Sequence, residues 1–267
     1  MLTGFTYAAR AIVGARDNQE DACQFAEVDG AGTVPLGRSG SGSGGWRGAN
    51  LLAVLADGMG GHAGGAEASS AACAAFISAY TDSTGTLGAR LAGALDKSNR
   101  AISAALDRDR ALEGMGSTLV AAAFSPGGIT WVSVGDSPLF LFRGEKLYQL
   151  NEDHSLAPVL DGLAARGEIS AEEACAHPRR HFLRAALTGG IIEMVDLRQT
   201  ALPLKEGDWV LLASDGVESL SHEELADVMA GAAGGSAEAM VAAVLAAVEA
   251  KGEAMQDNAT VMGIRVG

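Results

Sequence analysis

Residues 51–65, with the sequence LLAVLADGMGGHAGG, constrain this chain more than any other stretch. An apolar run of strand length ends at Asp57, and most of the residues that follow are glycines. Glycine lets the backbone approach a ligand closely, and Asp57 places one carboxylate at the end of the strand. This combination indicates a metal or phosphate site, which needs further ligands from other parts of the chain.

The composition indicates a globular protein with a large core. Hydrophobic residues make up 48% of the 267 residues, and the net charge is −14 without a basic stripe, which disfavours binding to nucleic acid. The chain begins without the pattern of a secretory signal, and its apolar runs are too short to span a membrane. We therefore expect a cytoplasmic protein with no membrane partner. Three scattered cysteines without a CxxC pair indicate reduced thiols rather than a zinc site.

Hydrophobic periodicity predicts helices in pairs and strands in clusters. Helical spacing covers residues 66–80 and 87–106, and four short strands are predicted between residues 117 and 150. We expect a flexible, Gly/Ser-rich surface insertion at residues 29–50 and a polar helical subdomain at residues 153–190. Because strands and helices cluster instead of alternating, the pattern favours an α+β fold of sheets covered by helices over a doubly wound parallel fold.

Five aspartates share one signature, since each lies where an apolar strand is predicted to begin or end. An aspartate in a turn is ordinary by itself, but carboxylates that converge repel one another and need cations. Ligation by oxygen alone favours Mg²⁺ or Mn²⁺, and two such ions can direct a water at a phosphorus atom. The pattern therefore predicts phosphoester hydrolysis without a covalent enzyme intermediate. The five residues are Asp21, Asp57, Asp136, Asp215 and Asp257.

A phosphate substrate also needs a cation supplied by the protein. Arg16 lies five residues before Asp21 and is a candidate, because a guanidinium group can bind phosphate through two parallel hydrogen bonds. The alternative is a surface ion pair between Arg16 and Asp17 or Glu20. The residues alone leave both interpretations open.

Seven motifs follow one another along nearly the whole chain: RDNQEDA, LADGMGGHAGG, GMGSTL, VSVGDSP, LNEDHSL, LLASDG and DNATVMGI. In this order they resemble the motif series of the bacterial metal-dependent (type 2C) protein serine/threonine phosphatases. The resemblance implies a single catalytic domain over residues 1–267, with a sandwich of two antiparallel sheets flanked by helix pairs in α-β-β-α layers. In this family residues 153–190 would form a flap beside the active site.

The resemblance also implies the reaction and the partners. The enzyme would be a monomer that hydrolyses phosphoserine and phosphothreonine in protein substrates, opposing a bacterial serine/threonine kinase. A water or hydroxide that bridges two Mn²⁺ or Mg²⁺ ions would attack the phosphorus directly, and a third ion would bind more weakly.

Individual site roles follow from the same resemblance. Asp57 would bridge both ions, the carbonyl of Gly58 would bind the first ion, and Glu20 would act through metal-bound water. Three further carboxylates would complete the second ion's ligands: Asp21, Asp215 and Asp257.

The remaining roles concern the phosphate and the third ion. Arg16 would bind the phosphate, and Asp136 with Asp215 would hold the third ion. Two positions depart from the family pattern. Gln19 stands where asparagine is common, and Pro138 replaces the arginine usual after GDS, so the charge near Asp136 differs.

His62 is a further candidate for catalysis. Some eukaryotic relatives place a histidine directly after DG as a proposed general acid, whereas this chain has Met59 there and His62 three residues later. Histidine titrates near neutrality and could protonate a leaving alkoxide where the geometry permits. A structural or outer-shell histidine is the alternative.

Three other function classes compete with the phosphatase interpretation. Gly58, Gly60 and Ala63 nearly match the GxGxxA pattern of a dinucleotide loop, but Asp57 would repel a pyrophosphate and the βαβ rhythm is missing. A phosphatase fold without strong activity could serve as a binding or regulatory module, although the core aspartates and Arg16 are all present. A metal-dependent nuclease is disfavoured by the net charge of −14.

Overall fold

The computed structural model describes residues 2, 4–29, 32–37, 40–45, 50–60 and 63–267. The elements up to the middle of the chain are β1 (Gly4–Ile12), β2 (Asp21–Asp29), β3 (Gly32–Gly37), β4 (Gly40–Gly45), β5 (Asn50–Met59), α1 (Ala63–Asp82), α2 (Leu87–Arg108), β6 (Gly116–Ser117), β7 (Leu119–Ser125) and β8 (Gly128–Val134).

The second half continues with strands, a short helical interlude and a closing strand. Its elements are β9 (Leu139–Arg143), β10 (Lys146–Gln149), α3 (Ala157–Ala165), α4 (Ala171–Cys175), β11 (Asp196–Leu202), β12 (Trp209–Ala213), α5 (His222–Ala232), α6 (Ala237–Ala250) and β13 (Ala259–Val266). Two 3-10 helices, Arg110–Leu112 and Asp215–Ser219, complete the described elements.

The strands form two antiparallel sheets. One has the order β10-β9-β12-β13-β1-β4, and the other has the order β11-β8-β7-β5-β2-β3 with β6 paired to β5. Every described pair of neighbouring strands is antiparallel. The four strands predicted between residues 117 and 150 are therefore found, although β9 and β10 belong to a different sheet from β7 and β8.

Strand β5 shows how a simple alternation creates two of the three hydrophobic cores. Leu52 and Val54 pack against helices α1 and α2, whereas Leu51 and Leu55 pack in the layer between the sheets. Successive side chains of a strand point to opposite faces, so a continuous apolar run covers both cores. A third core lies between the other sheet and helices α5 and α6. The predicted α+β sandwich with α-β-β-α layers is confirmed.

The two predicted N-terminal helices are also present and are slightly longer than expected. The stripe of Leu91, Leu95 and Ile102 along α2 is buried, as its spacing predicts. Thr86 caps this helix by accepting a hydrogen bond from the backbone N–H of Ala89 at 3.3 Å. None of the helices within the described residues has the length and apolar character needed to cross a membrane.

Within residues 29–50, the stretch predicted as a flexible insertion, two described segments form strands, whereas residues 30–31, 38–39 and 46–49 lie outside the described part of the chain. Strand β3 pairs with β2 at the edge of one sheet, and β4 pairs with β1 at the edge of the other. Glycine suits β4 because a Cβ at Gly44 would lie 2.6 Å from the ring of Phe5, and one at Gly42 would lie 2.3 Å from the hydroxyl of Tyr7. Backbone pairing to two existing sheet edges thus orders a segment that has little side chain to bury.

Residues 153–190, called the flap below, contain α3 and α4 joined by turns. Ser170 caps α4 through a capping box, because its hydroxyl accepts from the N–H of Glu173 at 3.0 Å while its own N–H donates to the Glu173 carboxylate at 2.7 Å. Arg180 binds Asp161 on α3 through two hydrogen bonds of 2.7 and 2.9 Å. This pair connects the end of the flap to its first helix.

Candidate metal centre and phosphate site

Strand register places the first two predicted carboxylates next to each other. Strand β2 begins at Asp21, and its antiparallel pairing with β5 sets Asp21 directly opposite Asp57. Directly opposed residues project their side chains to the same face of the sheet. The N–H of Gly58 continues the contact by donating to the carbonyl of Glu20 at 3.2 Å.

The other two core carboxylates come from the second sheet. Asp215 opens the 3-10 helix after β12, and Asp257 lies two residues before the start of β13. Asp57 and Asp215 lie close enough for each carboxyl group to shift the pKa of the other. Acidic groups from the ends of both sheets therefore meet at one edge of the sandwich.

A cavity of about 470 Å³ opens over this meeting point. Asp21 does not line the cavity, and His62 falls outside the described residues. Residues 181–183 of the flap also line it. Seven of the nine residues predicted for the site line the cavity: Arg16, Glu20, Asp57, Gly58, Asp136, Asp215 and Asp257.

Burial and mutual repulsion make it unfavourable to ionise several of these carboxyl groups at once. Burial raises the pKa of Asp57 well above its usual range, and the charges of Asp21 and Asp215 raise it further. The pKa of Asp21 rises to about 6, mainly through burial, although two hydroxyl hydrogen bonds oppose the change. Burial, followed by the charge of Asp215, raises the pKa of Asp136 to about 8. Divalent cations would remove this repulsion.

Asp21 supplies a direct test of whether the site fits a cation. Its Oδ2 accepts hydrogen bonds from Ser214 Oγ at 2.8 Å and Thr260 Oγ1 at 2.6 Å. Its Oδ1 is buried without any hydrogen-bond partner. A buried carboxylate oxygen without a partner is costly, and a hard divalent cation would satisfy it.

Glycine at position 58 fits the same interpretation. A Cβ there would lie 2.0 Å from the carbonyl oxygen of Gly65 and 2.6 Å from that of Glu20, so only glycine allows this close packing. A Cβ at Gly65 would in turn lie 2.5 Å from the carboxylate of Glu20. The backbone of β5 is thereby held against the start of α1 at the point where the carbonyl of Gly58 is predicted to bind an ion.

Two of the carboxylates are bonded to other protein groups. No three His, Cys, Asp or Glu side chains in the described part of the chain are spaced as the ligands of one ion. Asp257 is instead bonded to Arg16, and Asp21 is bonded to two hydroxyls. Ion binding would exchange some of these partners for metal bonds.

Arg16 makes a contact that the sequence did not suggest. Its guanidinium pairs with Asp257, not with the neighbouring Asp17 or Glu20. The side chain remains 54% exposed and lines the cavity, so its guanidinium is accessible from there.

Comparison with known proteins assigns the family. The family model described as Protein phosphatase 2C matches residues 41–258. The chain belongs to the protein phosphatase 2C family. Serine/threonine protein phosphatase PstP of Mycobacterium tuberculosis is 39% identical over 180 residues, which is 67% of this chain and 34% of PstP. The chain thus spans about a third of the length of that relative. Serine/threonine phosphatase stp of Listeria welshimeri is 35% identical over 184 residues, which is 67% of this chain and 71% of stp.

Solved structures of type 2C phosphatases agree with this assignment. The crystal structure of PstP/Ppp from Mycobacterium tuberculosis matches with a TM-score of 0.76 at 31% identity, covering 98% of both chains. The catalytic domain of PstP in complex with two manganese ions matches with a TM-score of 0.74 at 30% identity, again over 98% of both chains. The serine/threonine phosphatase of S. agalactiae has a TM-score of 0.79 at 24% identity and supports the fold alone.

The sequence did not point to Asn258, whose side chain holds the loop beside the cavity. Its Oδ1 accepts from the N–H of Glu20 at 2.7 Å, and its Nδ2 donates to the carbonyls of Val13 and Asn18 at 2.8 and 3.0 Å. Asn258 therefore fixes the loop that carries Arg16. The available signal was its place directly after Asp257 in the motif DNATVMGI.

Asp136 should make the stability of the chelator-treated protein depend on pH. Its raised pKa means that the folded chain binds this proton between the ordinary value of 3.8 and about 8, whereas the unfolded chain does not. The folded state is therefore stabilised at low pH, and this stabilisation is lost as the pH rises through that range. We expect Asp136→Asn to show a smaller fall in Tm between pH 5 and pH 8 than wild type. Asp107→Asn, at an exposed position of α2, should keep the wild-type slope, and equal slopes for both variants would contradict the assignment.

Proposed function

We propose that this chain is a protein serine/threonine phosphatase that hydrolyses phosphoserine and phosphothreonine with two Mn²⁺ or Mg²⁺ ions. The observation that carries the proposal is the meeting of Asp21 and Asp57 from one sheet with Asp215 and Asp257 from the other, beneath a cavity that Arg16 also lines. Membership of the type 2C family supports the same reaction.

The chain's own groups suggest how the ions would be held. Asp57 faces Asp21 within its sheet and Asp215 across the sandwich, which suits a bridging ligand. The carbonyl of Gly58 would bind one ion, and Glu20 would act through an intervening water. Asp21, Asp215 and Asp257 would complete the second ion's ligands, and Asp136 with Asp215 would hold a weaker third. When bound, such ions would supply an activated water for attack on phosphorus.

The charge of the cavity explains why the ions should be indispensable. Asp57, Asp136 and Asp215 line the surface where a doubly charged phosphate must enter. Without cations these carboxylates would repel the substrate, and Arg16 alone cannot offset several negative charges. Arg16 would then orient the phosphate, and the buried sheet edges would keep the carboxylates in fixed positions.

A direct assay tests the proposal. Hydrolysis of a phosphothreonine peptide should occur with Mn²⁺ or Mg²⁺ and stop when a chelator is added. The −14 charge disfavours nucleic acid as a substrate, and phosphorylated proteins as substrates and opposition to a serine/threonine kinase follow by family analogy. Hydrolysis that continues at full rate in the presence of chelator would contradict the two-ion proposal.

Arg16→Ala should weaken substrate binding more than it slows the chemical step. Removal of the guanidinium takes away two charge-assisted hydrogen bonds to phosphate, so we expect KM to rise by about tenfold or more with a smaller change in kcat. Arg16→Lys should recover part of the affinity, because an ammonium keeps the charge but not the paired geometry. Arg10→Ala, at an exposed position of β1, is the control for loss of one positive charge. An unchanged KM for Arg16→Ala would rule out the phosphate-binding role.

A further inference from the structure

His181 lies on the flap wall of the candidate metal cavity. It lines this cavity together with Phe182, Arg16 and Asp57. It also lines a neighbouring cavity of about 480 Å³ between the flap and helix α5. The side chain is 67% exposed, so an incoming phosphorylated residue can reach it. The predicted site residue His62 lies outside the described residues. Within the described residues, His181 is the histidine that lines this cavity.

The flap holds the backbone around His181 in place on both sides. On one side, Arg180 is fixed by its two hydrogen bonds to Asp161. On the other side, the carbonyl of Phe182 accepts from the N–H of Leu156 at 3.0 Å, and Leu183 forms an isolated β-bridge with Ser155. The imidazole is therefore presented from an anchored segment, while its tip remains free to meet a substrate.

The imidazole of His181 lies beside a carboxylate. Its Nδ1 lies 3.8 Å from Oε2 of Glu218. Glu218 belongs to the 3-10 helix Asp215–Ser219. With Nδ1 directed at Glu218, Nε2 is the nitrogen available to a substrate.

The geometry points to His181 as a catalytic residue that protonates the leaving oxygen of the phosphorylated serine or threonine; this inference rests on the proposed phosphatase function. The bond between phosphorus and the ester oxygen breaks, and its electron pair stays on that oxygen, which takes the proton from Nε2. The oxygen of the attacking water forms the new bond to phosphorus and releases one proton to solvent. The imidazole then recovers a proton from solvent.

An acid on this side of the cavity matches the chemistry of the substrate. A serine or threonine alkoxide is a poor leaving group, so its departure is assisted by proton transfer in the transition state. Arg16 and His181 line the same cavity, so a phosphate bound to Arg16 can present its ester oxygen to the imidazole. Nitrophenolate leaves without such help, because it is stable as an anion. The two kinds of substrate should therefore respond differently to loss of His181.

The test compares two substrates in the Mn²⁺-loaded wild-type protein and three variants. For His181→Gln we expect kcat for a phosphothreonine peptide to fall by about 100-fold, while kcat for p-nitrophenyl phosphate changes by less than about threefold. His181→Asn should behave in the same way, which guards against an effect of one side chain. His177→Gln is the matched control, since His177 lies in the flap but lines neither cavity. His62→Gln tests the sequence-based candidate under the same conditions.

Each outcome decides the inference. Loss with the peptide and retention with the aryl phosphate would support it, because a structural defect would lower both rates. An equal fall for both substrates, or no change for either, would overturn it. A selective loss in His62→Gln instead of His181→Gln would transfer the role to His62 and overturn the inference too. A wild-type protein inactive toward both substrates would contradict the proposed phosphatase function itself, which separates that failure from the failure of His181.

Discussion

Asp57→Asn should abolish hydrolysis of a phosphothreonine peptide while raising the Tm of the chelator-treated protein. Asp57 is the carboxylate that faces Asp21 in its own sheet and Asp215 across the sandwich. Asparagine keeps the size of the side chain but supplies no anionic oxygen for two ions. We therefore expect the rate to fall by about 1,000-fold or more with either metal.

The rise in Tm follows from the same crowding of carboxylates. Burial and the surrounding aspartates hold the pKa of Asp57 well above its usual range, so ionisation at neutral pH opposes folding. An amide removes that charge, and its N–H groups can donate to the neighbouring carboxylate of Asp215. Wild type should gain Tm when Mn²⁺ is added, because a ligand that binds only the folded state stabilises it, whereas Asp57→Asn should gain much less.

The control for this experiment is a neutralised aspartate far from the cavity. Asp107→Asn, near the end of α2, should keep wild-type activity and the wild-type response to Mn²⁺. Activity measurements and thermal unfolding with and without chelator report the two effects separately. Full activity of Asp57→Asn would refute its proposed role as a shared ligand of two ions. A folded Asp57→Asn protein with a lower Tm than wild type in chelator would refute the electrostatic explanation.

The sequence predicted those parts of the structure that depend on nearby residues. A continuous apolar run located β5, and helical spacing located α1 and α2. Each signal spans only a few residues, because strand pleating and helical periodicity are local effects. The ends of the predicted strands also indicated the aspartates that line the cavity, because a residue at a strand end can lie at the edge of a sheet and face a cavity there.

Contacts between distant parts of the chain were beyond these local patterns. Arg16 was predicted to pair with a neighbour or with phosphate, and its guanidinium instead contacts Asp257, 241 residues away in sequence. The strands β3 and β4 were missed because backbone pairing to β2 and β1 orders them, and a Gly/Ser-rich segment has no side-chain pattern that reveals such pairing. His181 lies in a turn-rich segment without periodicity, so only the folded structure shows which cavity it lines.

Asn258→Ala should destabilise the protein and impair the site together, although Asn258 itself is not a predicted ligand. The residue is only 4% exposed and bonds to three backbone groups, the N–H of Glu20 and the carbonyls of Val13 and Asn18. Alanine would leave these groups without this partner inside the protein. Because each buried polar group left unpaired costs on the order of 1 kcal/mol or more, we expect the free energy of unfolding to fall by about 3 kcal/mol.

Loss of Asn258 should reach the chemistry through the loop that it holds. The same three bonds fix residues 13–20, which carry Arg16 and Glu20, so a released loop would misplace the phosphate-binding guanidinium. We expect Asn258→Ala to raise KM for a phosphothreonine peptide at temperatures where the variant is still folded. Asn258→Asp keeps the acceptor for the N–H of Glu20 but loses both donors. Its free energy of unfolding, measured with urea, should therefore lie no higher than halfway between the values for Asn258→Ala and wild type. A loss of less than about 1 kcal/mol in Asn258→Ala, with unchanged KM, would show that the loop is held by its other contacts, such as the N–H of Ala15 donating to the carbonyl of Gln256 at 2.7 Å.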